Sequence, residues 1–331
     1  MKVSIIIPNC NGEKFIEECL SSLGKQTEKN FKTIIVDNAS SDNSLKLIGE
    51  QFEVMINDGC PRENLLVVRN DENTGFCKAV NQGINLADTP YVILLNNDTR
   101  VREDFVEQSL KAIEDREKVF SVSPKMVQIY NESLIDNAGD GYTLFGWTFT
   151  YGKNKPVSKC NKEREVFTAC AGAAIYQTEV LKQLGLFDEN HFAYLEDVDI
   201  GYRARIHGYK NLYNPKAVVY HAGSAFSGSR YNEFKIKNSA RNNIFLIYKN
   251  MPLLQIIFNF IFIFVGCVIK YLFFLMKSKE YAKAYIAGIK EGFASHKKCK
   301  KVKFKFSNMW NYTKIQISLI INLFRGIMEK F

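Results

Sequence analysis

The stretch KVSIIIPNCNGEKFIEECLSSLGKQTEKNFKTIIVDNASSDNS, residues 2–44, holds one full unit of a repeating pattern. Residues 3–7 form a short apolar, β-branched run of the kind buried on both faces of a sheet. Phe15, Ile16, Cys19, Leu20 and Leu23 then recur at the spacing of a helix with one apolar face. A second β-branched run follows at 33–36, and a second helical stretch opens at 44–48. Working outward, the alternation repeats with a strand at 65–68, a helix at 79–86 and a strand at 91–95. Strands alternating with helical patterns predict an α/β fold, a mostly parallel sheet flanked by helices. Farther on, helices are expected at 105–113, 178–184 and 197–207, and strands at 119–122 and 217–220. The Gly- and aromatic-rich segment 139–152 reads as short antiparallel strands or loops.

A hydrophobic share of 46% beside 24% charged residues excludes a mainly disordered or collagen-like chain. At 331 residues the chain can bury a core without disulfide or metal staples. The eight cysteines show no C-x-x-C pair or zinc spacing, so free thiols in a reducing compartment are expected. The apolar run at 3–7 is too short for a signal peptide, which places the expected body in the cytoplasm. The net charge of +9 is uneven: residues 252–331 hold 14 Lys/Arg against 3 Asp/Glu, whereas residues 1–251 carry a net −2. A near-neutral body with a basic, apolar tail reads as a working domain plus a docking segment.

In open α/β sheets, ligands bind beyond the carboxyl ends of parallel strands, where the loops diverge. Polar residues follow all four early strands: Pro8, Asn9 and Asn11; Asp37, Asn38, Ser40 and Asp42; Asn70, Asp71 and Asn73; Asn96, Asn97 and Asp98. Each group alone reads equally as turns and helix caps, but the topology gathers all four at one edge. The first turn, PNCNGE, lacks G-x-G-x-x-G, and no phosphate loop is present. A diphosphate would therefore need another positive charge, and a Mg2+ or Mn2+ ion held by Asp98 supplies one economically. Glu196, Asp197 and Asp199 crowd three acids into four residues, pointing to chemistry, to a cation, or to a helix N-terminus enriched in acids. Arg203 and Arg205 could offset them structurally. His221 follows the strand at 217–220 and is either a ligand or a satisfied edge residue.

The combination VSIIIPNCNG, IIVDNASSDNS, NTGFCKAVNQGI, LLNNDT, AGAAIYQTEVLKQLGLFDE, FAYLEDVDIGYR and YHAGS resembles the family 2 inverting glycosyltransferases. Within them it is most similar to the branch of bacterial rhamnosyltransferases and galactofuranosyltransferases. The resemblance runs over about residues 2–251. It implies a GT-A fold over 1–225, with a nucleotide-binding half at about 1–100 and an acceptor-binding half at about 101–225. It further implies that Asp37 bonds the nucleobase while Pro8, Asn9 and Asn73 line that pocket beside Asn11. Asn96, Asn97 and Asp98 stand at the family's D-x-D, here with Asn first. Asp98 and His221 would bind the metal, Asp197 would be the catalytic base, and Glu196, Asp199 and Arg203 would serve the acceptor side or the scaffold. Residues 172–174, Gly172 first, would leave room for the donor sugar. The implied donor is a nucleotide-diphosphate sugar, with dTDP-rhamnose first and UDP-galactofuranose or another UDP-hexose as alternatives. The implied acceptor is a glycan, lipid-linked in cell-surface polysaccharide synthesis.

Residues 226–331 read as a helical extension. Residues 253–276 are long enough to cross a bilayer, but Gln255, Asn259 and Lys270 interrupt them. An in-plane or partly inserted helix is expected, with a span, a core helix or a homo-oligomer contact as alternatives. Lys297, Lys298, Lys300, Lys301, Lys303 and Lys305 suit an anionic membrane surface, which implies peripheral attachment to the inner face of the cell membrane. Phe304 and Phe306 could stack bases, yet nothing else points to nucleic acid, and none is expected. Ile315, Leu319, Ile320, Leu323, Phe324 and Ile327 are predicted to share one face of a last helix. A rival from another class is a non-catalytic, membrane-associated adaptor with a transferase-like fold, which predicts a dismantled site.

Overall fold

The computed structural model describes residues 1–223 and 231–329. The first unit runs β1 (Val3–Asn9), α1 (Ile16–Gly24), β2 (Phe31–Asn38), α2 (Ser44–Asn57), β3 (Leu65–Asn70), α3 (Phe76–Leu86) and β4 (Tyr91–Leu95). Strand side chains alternate between faces, and here both faces are covered. Ile5 and Ile7 pack with Ile16 and Leu20 of α1, whereas Ile6 packs with Val80 and Ile84 of α3. β1 pairs in parallel with β2 and β4, and β2 with β3. The four carboxyl ends therefore lie along one edge.

The chain continues through β5 (Thr99–Val101), α4 (Phe105–Ile113), β6 (Val119–Gln128), β7 (Asn131–Asn137), β8 (Asp140–Tyr142), β9 (Thr148–Thr150), β10 (Arg164–Val166), β11 (Ala173–Gln177), α5 (Thr178–Gln183), α6 (Glu196–Ile206) and β12 (Lys210–His221). The large sheet has the order β10-β12-β6-β11-β4-β1-β2-β3, with β5 on β12 and β7 on β6. β11 enters antiparallel between β4 and β6, and β12 lies parallel to β6. The half built from β1 to β4 is thus parallel and the other half mixed. β8 and β9 form a separate ribbon.

Two strands extend well past their expected limits. The run at 217–220 is only the end of twelve-residue β12, whose register shifts between Asn214 and Val218. Pro215, which has no N–H for a ladder, sits in that irregularity. The run at 119–122 is the start of ten-residue β6. Ala173 and Ala174 belong to β11 and are fully buried within the sheet, so they leave no space for a sugar. Only Gly172 stays at the edge.

Four helices complete the chain: α7 (Glu233–Asn250), α8 (Leu253–Lys277), α9 (Lys279–Ser295) and α10 (Met309–Met328). Asn232 caps α7 by accepting from Lys235 N at 2.8 Å, and Ser278 caps α9 by accepting from Glu280 N at 3.1 Å. The expected boundary at 225/226, like Ser224 of YHAGS, lies outside the described residues. Leu246 of α7 and Ile315 and Leu319 of α10 share a core with Tyr142 of β8 and Tyr202 of α6. α10 also clasps the β8–β9 ribbon: Leu144 N donates to Leu319 O at 3.0 Å and Asn322 Nδ2 to Tyr142 O at 3.1 Å. The single apolar face expected on α10 is split. Ile315 and Leu319 point inward, whereas Ile320, Phe324 and Ile327 are exposed. α8 is the one helix among the described residues long and apolar enough to cross a membrane, and little of it is buried. Its interrupting residues Gln255 and Asn259 are buried against Gln316 of α10, which explains those two interruptions.

Candidate active site

At the parallel edge, Asn9 links three strands. Its Nδ2 lies 2.8 Å from Asp37 Oδ1 and 3.0 Å from Ser44 Oγ, and its Oδ1 accepts from Asn97 Nδ2 at 2.7 Å. The chain passes so close above this pair that a Cβ on Gly12 would fall 2.2 Å from Asn9 Oδ1 and 2.3 Å from Asn97 Nδ2. Only glycine fits there without breaking the link. Asp37 is 1% exposed, and its carboxylate accepts from Asn9, from Ser40 Oγ at 2.5 Å and from Ser40 N at 3.1 Å. The polar turn after β2 folds back over it, so Ser40 caps the carboxylate. Asn9 is likewise buried. Asn11 and Asn73 are exposed, and Pro8, Asn96 and Asn97 half-buried, at the carboxyl ends of the strands.

Asp98 and His221 meet although 123 positions apart, because β12 runs back beside β5: His221 pairs with Thr99, and Ala222 N donates to Asp98 O at 3.0 Å. His221 Nε2 lies 3.4 Å from Asp98 Oδ1, and Nδ1 lies 2.8 Å from Asp136 Oδ2 on β7. Lys153 in turn pairs with Asp136. Burial works against a charged imidazole, but the hydrogen bonds and charges of Asp136 and Asp98 prevail and raise His221 to about 9. Asp98 Oδ1 is buried without a hydrogen-bond partner among the described residues. Once a cation displaces the proton on Nε2, the imidazole, oriented by Asp136, and Asp98 Oδ1 form a fitting donor set.

Asp197 lies in the first turn of α6, behind a strained loop. Phe192, Tyr194 and Leu195 have φ of 61°, 75° and 64°, a left-handed conformation that costs non-glycine residues energy. Fully buried Asn242 of α7 holds this loop: its Nδ2 lies 2.9, 2.9 and 2.7 Å from the carbonyls of His191, Ala193 and Tyr194. Asp197 is half-buried, its Oδ1 accepting from Val198 N at 2.8 Å. Ligand atoms of Asp140, Cys170 and Asp197 all lie within 4.8 Å of one another. Burial, followed by the charges of Glu196 and Asp140, holds Asp197 well above the usual carboxylate range. Asp140 accepts from Asn137 and from Thr150 at 2.7 Å, and burial keeps the Cys170 thiol neutral. The trio is two carboxylates and a thiol close enough to share a proton or a cation. Gly172 O accepts from Asn96 N at 2.8 Å, joining the Asp197 side to the Asp98 loop.

The neighbouring acids are scaffold. Asp199 is fully buried, with Arg203 Nη2 at 2.6 Å, Lys249 Nζ at 2.9 Å and Asn250 Nδ2 at 2.7 Å, which ties α6 to α7. Neither Asp199 nor Arg203 faces an acceptor. Arg205 bonds Glu165, not the acids. Glu196 is buried with Oε2 unpartnered among the described residues, and burial pushes it up to about 7. Asp136, Asp140 and Asn242 were not singled out by the sequence, since each matters only through a long-range pairing.

The sequence pattern described as "Glycosyl transferase family 2" matches residues 4–185. The glycosyltransferase GlyG of Streptococcus pneumoniae serotype 4 is 29% identical over 192 residues, 58% of this chain and 60% of the relative's own length. The amylovoran biosynthesis glycosyltransferase AmsB of Erwinia amylovora is 28% identical over 241 residues, 71% of this chain and 74% of the relative. The mannosyltransferase PcManGT of Pyrobaculum calidifontis, solved in complex with GDP-Man and Mn2+, shares the fold at a TM-score of 0.56 and 15% identity, over 88% of this chain and 87% of that one. With the family pattern covering more than half of its 331 residues, and with the GT-A arrangement of sheet and edge described above, the chain belongs to glycosyl transferase family 2.

Proposed function

We propose that this glycosyltransferase moves a sugar from a nucleotide-diphosphate donor to a glycan hydroxyl with inversion, using Asp197 as base and Asp98 with His221 as the cation site. The observation that carries the reading is the meeting of Asp98 and His221 at 3.4 Å on the same edge as half-buried Asp197. An adaptor that had lost its chemistry would have no reason to keep this set together.

Asp98 and His221 would hold Mg2+ or Mn2+, which supplies Lewis-acid neutralisation of charge on the diphosphate. Asn96, Asn97, Gly172, Pro8, Asn11 and Asn73 border the space for the donor. The acceptor hydroxyl gives its proton to the Asp197 carboxylate as its oxygen forms a bond to the anomeric carbon. The bond from that carbon to the donor phosphate breaks on the opposite face, and the nucleoside diphosphate leaves. A carboxylate whose pKa lies above the usual range is the better proton acceptor. dTDP-rhamnose is the first donor to test, followed by UDP-galactofuranose and other UDP-hexoses. AmsB's name, with its amylovoran, supports a polysaccharide acceptor, and we take it as lipid-linked at the cytoplasmic face of the membrane.

Asp197→Asn tests the scheme: transfer should be abolished while nucleotide-sugar binding, read as a rise in melting temperature with Mn2+ present, stays near wild type. Retained turnover in that variant refutes the assignment of the base.

A further inference from the structure

Twenty-two of the thirty large apolar side chains exposed among the described residues lie on α8 and α10. They are concentrated in one region, which scattered surface hydrophobics are not. On α8 they form a stripe through Leu254, Phe258, Ile261 and Leu272, and on α10 one through Trp310, Ile317 and Phe324. The opposite face of each helix is attached to the body. Along α8, Gln255 Nε2 donates to Gln316 Oε1 at 2.9 Å, Asn259 and Gln316 exchange bonds at 3.0 and 2.7 Å, and Gly266 O accepts from Trp147 Nε1 at 3.1 Å. Phe274 then packs on Tyr285 of α9 at 5.4 Å.

From these contacts we propose that α8 and α10 together form a platform that lies in the plane of an anionic bilayer, outer faces in the lipid, without crossing it. The attachment runs from residue 255 to residue 274, about 28 Å at 1.5 Å per residue. A bilayer's hydrocarbon layer is about 30 Å thick. A crossing helix would have to shed the body along nearly its whole length and expose Gln255 and Asn259 to lipid. Lying flat, it keeps every one of those bonds.

Charge selects the occupant. Between α9 and α10 the chain carries six exposed lysines at 297–305 and no acid, with Phe304 and Phe306 exposed among them. α8 carries no acid at all, and α10 none before Met328. An exposed apolar surface joined in the chain to an exposed run of lysines matches anionic headgroups over acyl chains. The docking stands apart from the identity of donor and acceptor, and its test does not read sugar transfer.

The full chain is floated with vesicles of phosphatidylcholine alone or with added phosphatidylglycerol. It should float with the anionic vesicles and be released by salt. Phe258→Glu, a change at an exposed position, should abolish flotation at an unchanged melting temperature. Lys303→Gln with Lys305→Gln should weaken vesicle affinity roughly 30-fold, which is about 2 kcal/mol at about 1 kcal/mol per lysine. Depth is read by bromolipid quenching of a tryptophan placed by Leu254→Trp or Phe264→Trp, with Trp310 replaced by Phe and Trp147, which holds Gly266 O, kept as a constant background. Equal, shallow quenching supports the platform. A far deeper position for residue 264 than for 254 overturns it in favour of a span. Absence of flotation, or a vesicle-free dimer that Phe258→Glu dissolves, also overturns it, the latter giving the face to a second copy.

Discussion

Replacing Asn242 with alanine should disable catalysis from a residue that touches no substrate. Its side-chain NH2 serves three carbonyls, and Arg241 Nη2 also reaches His191 O at 2.9 Å. The variant thus removes this donor from Ala193 O and Tyr194 O, with His191 O still served. At about 1–2 kcal/mol for each buried acceptor deprived of a donor, the loss is about 2–4 kcal/mol. With an unfolding entropy of about 2.1 cal/mol/K per residue, that lowers the melting temperature of a chain this size by about 3–6 °C. The three left-handed residues store about 1–3 kcal/mol each, so the loop has a strong incentive to relax once released. Relaxation would carry the first turn of α6, and Asp197 with it, away from its place. A displacement of about 1 Å costs on the order of 100-fold in rate, so kcat should fall by about that much. The donor KM should change less than kcat, because the loop reaches the donor side through Phe192 on the Asn73–Gly75 turn, whereas Asp197 follows it directly. Thermal melts and nucleoside-diphosphate release measure both. Wild-type kcat together with a wild-type melting temperature would refute the reasoning, and a KM effect without a kcat effect would place the loop on the wrong substrate.

Asp136→Asn should raise the Mn2+ concentration needed for half-maximal turnover by about 10–100-fold, since it removes the partner that orients His221; a metal titration of activity checks it. Glu196 gives a pH signature. Its folded pKa of about 7 lies above its ordinary value, so its contribution to stability is complete below about pH 4.5 and is lost as pH rises through 7. Glu196→Gln should flatten that part of the melting-temperature profile between pH 4.5 and 7.5, and an unchanged slope would remove Glu196 as its source.

The early strands were readable because a helix-covered parallel strand must be apolar on both faces, which leaves runs such as SIII and TIIV in the sequence. The polar residues after them were readable as a group because parallel pairing sends all four carboxyl ends to one edge. Asp197, Asp98 and His221 could be named through family motifs, yet the partners that tune them could not. Asp136 reaches His221 only because β7 turns back on β6 and β12 returns beside it, and neither pairing leaves a local pattern. β7 and β10 are edge strands with exposed positions, and β11, AAIYQ, is a five-residue strand packed between neighbours on both sides. Gln255 and Asn259 read as breaks in an apolar helix when they are its inward-facing attachment points. Asp37 shows a related limit: the motif places the carboxylate at the edge, but only the fold shows Ser40, three residues on, bonding it.

The clasp of α10 on the β8–β9 ribbon sets an order of events during synthesis. Tyr142 and Leu144 must wait for partners some 175–180 positions later, a delay of roughly 10–35 s at ribosomal speeds. Until those partners emerge, the ribbon that carries Asp140 has one side open. The late segment thus completes an early ribbon, and the surroundings of Asp140 are finished only after α10 has been made.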